Sequence, residues 1–452
     1  MRDLFFVAFL LGLFGLGFRR PFLFVLAYAY VDTVAPQRLS YYLLSGGNVV
    51  LYSAVAAIGS WLLFDDKRGV RFSGRQWLML ALLAYSGWTT LYADMPVEAL
   101  SKWDWVWKAM VFAIFLPLTL RTKLRIEAYL LFMILSASAI VIVGGIKTLL
   151  SGGGYGALNL MVDNNSGLYE GSTISTVAIA LVPLILWAAR HGTIFPADWR
   201  VKLFAAGLVF ACLLIPVGTE ARTGLVCIAV LAVLMLRDVK RRLLFMSLIG
   251  AACLIAVPML PSSFTDRMGT ISTYQADSSA STRIAVWRWT WDYVQHNPWG
   301  GGFDAYRQNR IEVATVSEQG AGSVRSVEQR VHEDQARAYH SSYFEMLGEQ
   351  GFPGLILFLL IHGLGLVRME VLRRRWRGAQ EEDRKWIAPL ATALQSFQLI
   401  YLVGSLFVGI AFQPFVWMAL AVQIGFDSHV SRRYRPEPKR PAPPLRPAVS
   451  AA

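Results

Sequence analysis

The chain has 452 residues, of which 55% are hydrophobic and only 16% charged. A soluble domain carries roughly 25% charge, so a water-soluble globular protein is excluded. A transmembrane barrel is excluded too, because its strands would alternate in short segments. The net charge of +13 fits basic loops on the cytoplasmic side of a membrane better than a nucleic-acid partner.

Apolar blocks fall at about 4–18, 21–34, 48–64, 77–92, 104–120, 127–146, 172–190, 202–218, 223–236, 243–260, 352–367, 387–409 and 411–427. Most have the length that crosses a bilayer, roughly 17 to 25 residues. The first two are short and split by Arg19-Arg20-Pro21, so they form two short spans or one hairpin. The expected fold class is all-α: a polytopic helical membrane protein with about 12 to 13 transmembrane helices and one large, partly helical loop. The start lacks a basic n-region and a small-residue cleavage site, so a cleavable signal is not expected. Cys212, Cys227 and Cys253 sit inside apolar blocks without metal spacing and read as small core residues.

Every second loop is basic. Lys67, Arg68, Arg71 and Arg75 share one, Arg121, Lys123 and Arg125 another, and Arg373, Arg374, Arg375 and Arg377 a later one. By the positive-inside pattern these face the cytoplasm. Loops 93–103, 147–171, 218–222 and 261–351 then face the other side, the periplasm of a bacterium. Three regions are expected: an N-terminal transmembrane region 1–200, a second transmembrane region 201–430 that includes loop 261–351, and a basic, proline-rich, disordered cytoplasmic tail 431–452.

Loop 261–351 is the one long polar interval. Ser281 to His296 reads as a helix capped by Ser281, with Ile284, Trp287, Trp291 and Val294 as its apolar stripe. Its tryptophans place it along the membrane interface. Asn297-Pro298-Trp299-Gly300-Gly301-Gly302 stops it. A second helix is expected from near Ala336, carrying His340, until Gly351-Phe352-Pro353-Gly354 breaks the chain.

The loop holds eight arginines and no lysine. Arginine grips phosphate or carboxylate oxygens in pairs, which an ammonium does not. Ordinary surface charge accounts for most of them, and Arg288 has a helix-face partner available in Asp292. Arg222 stands in a tight turn at the start of a span, where free N–H groups and the positive helix end favour a diphosphate; a salt bridge to Glu220 or snorkelling to headgroups are equal alternatives. His340 is the best general-base candidate, since histidine titrates near neutral pH, although a single histidine at an interface is more often structural. Asn164 and Asn165, beside Asp163 in a Gly-rich loop, offer sugar-binding groups or simply a turn. Lys108 is a lesser donor-binding candidate, with an ion pair to Asp104 as its default reading. No metal spacing and no Asp-x-Asp pair occur, so a metal-independent mechanism without cofactor is the simpler expectation.

The chain resembles the O-antigen ligase and O-antigen polymerase superfamily of bacterial membrane glycosyltransferases. The ligase motif of His, a small polar residue, nine residues, Gly, two residues and a final Gly, Thr or Tyr is matched by His340, Ser341, Gly351 and Gly354. Ser281-Thr282-Arg283-Ile284-Ala285-Val286-Trp287 with Pro298 and Gly300-Gly301-Gly302 looks like the family's other signature. Met1-Arg2-Asp3-Leu4 and Asp163-Asn164-Asn165 look like the O-glycosylation ligase subgroup of exosortase-linked gene clusters. The resemblance implies a GT-C-like enzyme of the inner membrane whose periplasmic face moves a glycan from undecaprenyl diphosphate to a sugar hydroxyl of lipid A–core, with inversion. It implies that Arg222, Arg283 and Arg288 hold the diphosphate and that His340 activates the acceptor. An O-antigen polymerase, or a ligase to protein hydroxyls, shares the same donor and stays open. A transporter of lipid-linked sugars ranks last, because the apolar blocks are poor in charge.

Overall fold

The computed structural model describes residues 2–151, 168–237, 247, 278–319 and 326–434. The Asp163-Asn164-Asn165 loop, most of the expected span 243–260 with Cys253, and the tail from 435 onward lie outside the described residues.

Helices form where an apolar run meets a start signal. α1 (Arg2–Gly17) and α2 (Phe22–Val34) are separate, because Pro21 lacks an N–H and fits a helix start but not its interior. The short α3 (Pro36–Leu39) and α4 (Val49–Phe64) follow. α5 (Gly74–Thr90) opens on a capping box in which Ser73 and Gln76 satisfy each other's backbone N–H groups. α6 (Pro96–Thr119) and α7 (Lys123–Ser151) come next, then α8 (Gly171–His191), α9 (Trp199–Gly218) and α10 (Arg222–Leu236). After them come α11 (Ser278–His296), a 3-10 turn (Ala305–Gln308), strands β1 (Arg310–Gln319) and β2 (Ser326–Gln335), α12 (Ser342–Trp376), α13 (Ile387–Gly404) and α14 (Pro414–Arg433). The strands pair antiparallel with Arg310 opposite Gln335, one hairpin in an otherwise all-α protein.

Among the described residues, α7, α8, α9, α12 and α13 are long and apolar enough to cross a membrane, and α2, α4 and α10 are apolar but shorter. Helices adjacent in sequence are not always adjacent in space: α8 packs on both α9 and α13, and α6 on α14. A polar line binds the helices inside the apolar layer. Arg75 Nη1 reaches Gln423 Oε1 at 3.5 Å, Gln423 Nε2 donates to Gln398 Oε1 at 3.1 Å, and Gln398 Nε2 meets His362 Nδ1 at 3.1 Å. Such bonds join membrane helices where no water competes for them.

The two ends of the bundle differ. At one end the basic loops pair with their own acids: Arg125 with Asp65 at 2.6 Å, Arg368 with Asp427 at 2.7 Å, and Arg121 with Asp66. At the other end the segments between helices build a platform. Asp94, after α5, accepts from Tyr293 of α11 and from Gln308 Nε2 at 2.6 Å, and its N–H donates to Gly301 O at 2.8 Å.

α11 departs from the sequence expectation. It begins at Ser278, so Ser281 is not its cap. Its fully buried residues are Val286, Thr290 and Val294, while Ile284 and Trp291 are 39% and 51% exposed. Trp287 stacks on Phe344, 5.0 Å between ring centroids, and donates its Nε1–H to Tyr339 O at 2.8 Å.

The triple-glycine stretch and the break in α12 are one joint. Gly351 adopts φ +62° inside α12, which frees nearby backbone groups from the helix. Gly301 N–H bonds Gly348 O at 3.0 Å, Gly302 N–H bonds Glu349 O at 2.9 Å, and Phe352 N–H bonds Pro298 O at 3.0 Å. A Cβ on Gly351 would strike Pro298 O, and one on Gly300 would strike Gly351 N. Gly351→Ala therefore adds a clash to a left-handed backbone that costs roughly 1–3 kcal/mol. It is expected to melt several degrees below wild type in detergent. Gly363→Ala, on the same helix with nothing within 4 Å of its Cβ position, is the control and is expected to leave the midpoint unchanged.

Candidate active site

The starts of α8, α10 and α12 and the end of α13 meet beside the platform. Gly171 faces Thr219 across van der Waals distance, and Ser175 Oγ lies 2.7 Å from Thr219 Oγ1. Gly404 packs on Thr176 and Cys227. The loop after α13 is sewn to α12: Ser342 N–H bonds Ser405 O at 2.8 Å, and the Ser342 hydroxyl donates to Val408 O and accepts from Ile410 N–H, both at 2.9 Å.

His340 stands at this junction, but not on a helix. α12 starts at Ser342 with Ser341 as its cap, and His340 precedes it at φ +49°. The expected helix from Ala336 does not form, because β2 runs to Gln335 and Ala336 is itself left-handed at φ +55°. Asn309 clamps this passage, accepting from Arg337 N–H at 3.0 Å and donating to Arg337 O at 2.7 Å. His340 keeps an exposed edge. Packing around the ring holds its pKa below the usual histidine value; the Arg283 guanidinium adds to this, Glu170 opposes it and Arg337 adds a little more. A lowered pKa leaves the imidazole neutral near pH 7 and able to accept a proton. Acidification below that pKa charges it.

The arginines separate. Arg283 is half-buried and acts on His340. Arg222 is half-buried at the first position of α10, whose start no side chain caps, and the positive end of that helix favours an anion there. Glu170, by contrast, caps α8, accepting from Ser172 N–H at 3.0 Å and Thr173 N–H at 2.6 Å. The 218–222 turn that precedes Arg222 touches the α8 start through Thr219, which meets Gly171 and Ser175. Arg288 is exposed and makes no ion pair with Asp292 among the described residues. Five residues along a helix turn a side chain by about 140°, so Arg288 and Arg283 leave α11 on different flanks. Lys108 pairs with Asp104 at 2.7 Å, as their spacing predicts. Asn164 and Asn165 lie outside the described residues.

The sequence did not disclose the charged knot beneath His340. Lys102 Nζ lies 2.7 Å from Glu345 Oε1 and 2.8 Å from Glu349 Oε1, with Asp304 at 3.7 Å. Glu349 is fully buried and Glu345 is 5% exposed. The second oxygen of Glu345 accepts from Ala411 N–H at 3.0 Å, and Glu349 Oε1 accepts from Asp304 N–H at 3.0 Å. The one available signal was a pair of glutamates four apart in a helix, which need a cation once buried. Glu170 gave no signal beyond an acid ahead of a helix start.

A bundle of apolar helices with a polar, arginine-bearing platform at one end is a multi-pass membrane protein. Residues 206–359 match the family described as O-antigen ligase, and residues 1–193 match a family of unknown function (DUF5935). The first match takes in Arg222, Arg283, Arg288 and His340 and makes this region similar to the O-antigen ligase/polymerase superfamily of membrane glycosyltransferases. No curated protein matches the chain significantly.

Removing one partner of a buried ion pair strands the others and costs about 3–5 kcal/mol. Lys102→Met is expected to lower thermal stability by that amount in detergent. Lys102→Met combined with Glu349→Gln is expected to regain part of it. Unchanged melting of the single variant would contradict the knot.

Proposed function

We propose that the protein moves a glycan en bloc from undecaprenyl diphosphate to a sugar hydroxyl of lipid A–core, at the periplasmic face of a bacterial inner membrane. The observation that carries this reading is the placement of His340 at the head of α12 within the influence of half-buried Arg283, inside the region that matches the O-antigen ligase family. His340 takes the proton of the acceptor hydroxyl. The hydroxyl oxygen bonds the anomeric carbon as the bond to the phosphate oxygen breaks, with inversion, and the electron pair leaves on the diphosphate. Arg283 and Arg222 hold that diphosphate and stabilise its added charge. Arg288 serves the donor further out along α11, and Asn164, Asn165 and Lys108 are secondary donor or glycan contacts. The leaving group is already a good one, so neither metal nor cofactor is called for.

The test is transfer by purified protein in nanodiscs, given undecaprenyl-diphosphate glycan with or without lipid A–core, in EDTA. The expected result is one shifted acceptor band that requires lipid A–core, survives EDTA and falls at least about a hundredfold in His340→Ala, the scale of a lost general base. A ladder of longer lipid-linked glycan without acceptor would instead mean a polymerase. Transfer only to added protein would mean a protein ligase. Full activity in His340→Ala would remove the assigned base.

A further inference from the structure

The end of the bundle opposite His340 carries a cleft of about 510 Å³ between the ends of α8, α10 and α12 and the start of α13. Its inner wall is apolar, with Leu186, Trp187, Leu234 and Ala393 among the lining residues. Its rim carries the cations Arg190, Arg373, Arg377 and Lys385 beside His191, and no carboxylate lines it among the described residues. Arg373 is held by Glu370 at 2.7 Å and Lys385 by exposed Glu382 at 2.7 Å. Arg190, His191 and Arg377 have no ion pair among the described residues. The plainer role of these cations is to offset the negative ends of α8 and α12. That role explains neither the apolar wall behind them nor the lysine at the start of α13, where a cation opposes the helix dipole.

We propose that this cleft is a binding site for an anionic phospholipid of the adjacent leaflet. The site lies at the level where basic loops mark the bilayer surface, so its occupant has an apolar chain pointing into the membrane and a negative head at its edge. A soluble phosphate meets the rim but leaves the wall empty. A zwitterionic lipid fills the wall but leaves the rim uncompensated. Anionic phospholipid matches both, as basic pockets between membrane helices do in general. The site sits at the far end of the bundle from the proposed chemistry and does not depend on that chemistry being right.

The test is native mass spectrometry of the full chain in detergent, titrated with phosphatidylglycerol or with phosphatidylcholine of the same acyl chains, and separately with inorganic phosphate as competitor. Wild type is compared with Arg190→Gln/Arg377→Gln/Lys385→Gln. A control removes three exposed charges outside the cleft, Arg374→Gln/Arg375→Gln/Arg433→Gln. The expected result is phosphatidylglycerol bound on the order of tenfold more tightly than phosphatidylcholine, lost on the order of tenfold or more in the cleft variant and within about threefold of wild type in the control. Arg377→Gln alone, at an exposed helix end, is expected to give part of the loss. Equal binding of the two lipids, equal losses in cleft and control variants, or displacement by millimolar inorganic phosphate would each overturn the proposal.

Discussion

One lysine holds the platform to the membrane helices. Lys102 is drawn from the first turns of α6, Glu345 and Glu349 from the head of α12, and Asp304 from the segment after α11. An ammonium buried among carboxylates in a low-dielectric layer has no good alternative position, because separating any pair leaves a charge without water. The consequence reaches His340. Glu345 fixes the backbone of Ala411 with its second oxygen, and the loop around Ala411 is bonded to Ser342, two residues from the histidine. The imidazole therefore sits on a passage anchored at both ends, by Asn309 before it and by the serine–glutamate contacts after it.

The second constraint is a joint made of backbone alone. Kinking α12 at Gly351 opens its hydrogen-bond ladder, and the Pro298–Gly302 stretch closes it again from outside. This is possible only where neither strand carries a side chain at the contact. The joint fixes α11, and with it Arg283, relative to the head of α12. The spacing between His340 and Gly351 thus sets how far the histidine lies from the place where the arginine-bearing helix is tied down.

The helical layout was readable from hydropathy, because long apolar runs leave few choices in a bilayer. The local ion pair of Lys108 with Asp104 was readable for the same reason: it needs only the helical period. What could not be read were contacts between distant segments. Nothing near Lys102 in sequence indicates that two glutamates some 240 residues later surround it. The apolar stripe read on α11 divides between two settings: Val294 is buried on the face that meets β1 and α12, while Ile284 and Trp291 are exposed, as apolar residues of a helix at an interface are. His340 was expected on a helix because its neighbours are good helix formers. The preceding hairpin and the left-handed turns at Ala336 and His340 overrode that preference.

The proposed reaction requires a charged diphosphate and a neutral base to coexist within one site, and one arginine would serve both needs. Arg283 disfavours a proton on His340, and in the proposed reaction the same guanidinium would attract the donor, so that the base would stay unprotonated where the donor binds. The most direct test is the pH dependence of single-turnover glycan transfer in wild type and in His340→Ala, with donor saturating throughout. The wild-type rate should be flat near neutral pH and fall only on acidification below the ordinary histidine range, near 6.5, while the residual rate of the variant should lack that limb. An acidic limb of the same position and depth in both proteins would show that another group carries the proton, and would contradict the assignment of His340 as the base.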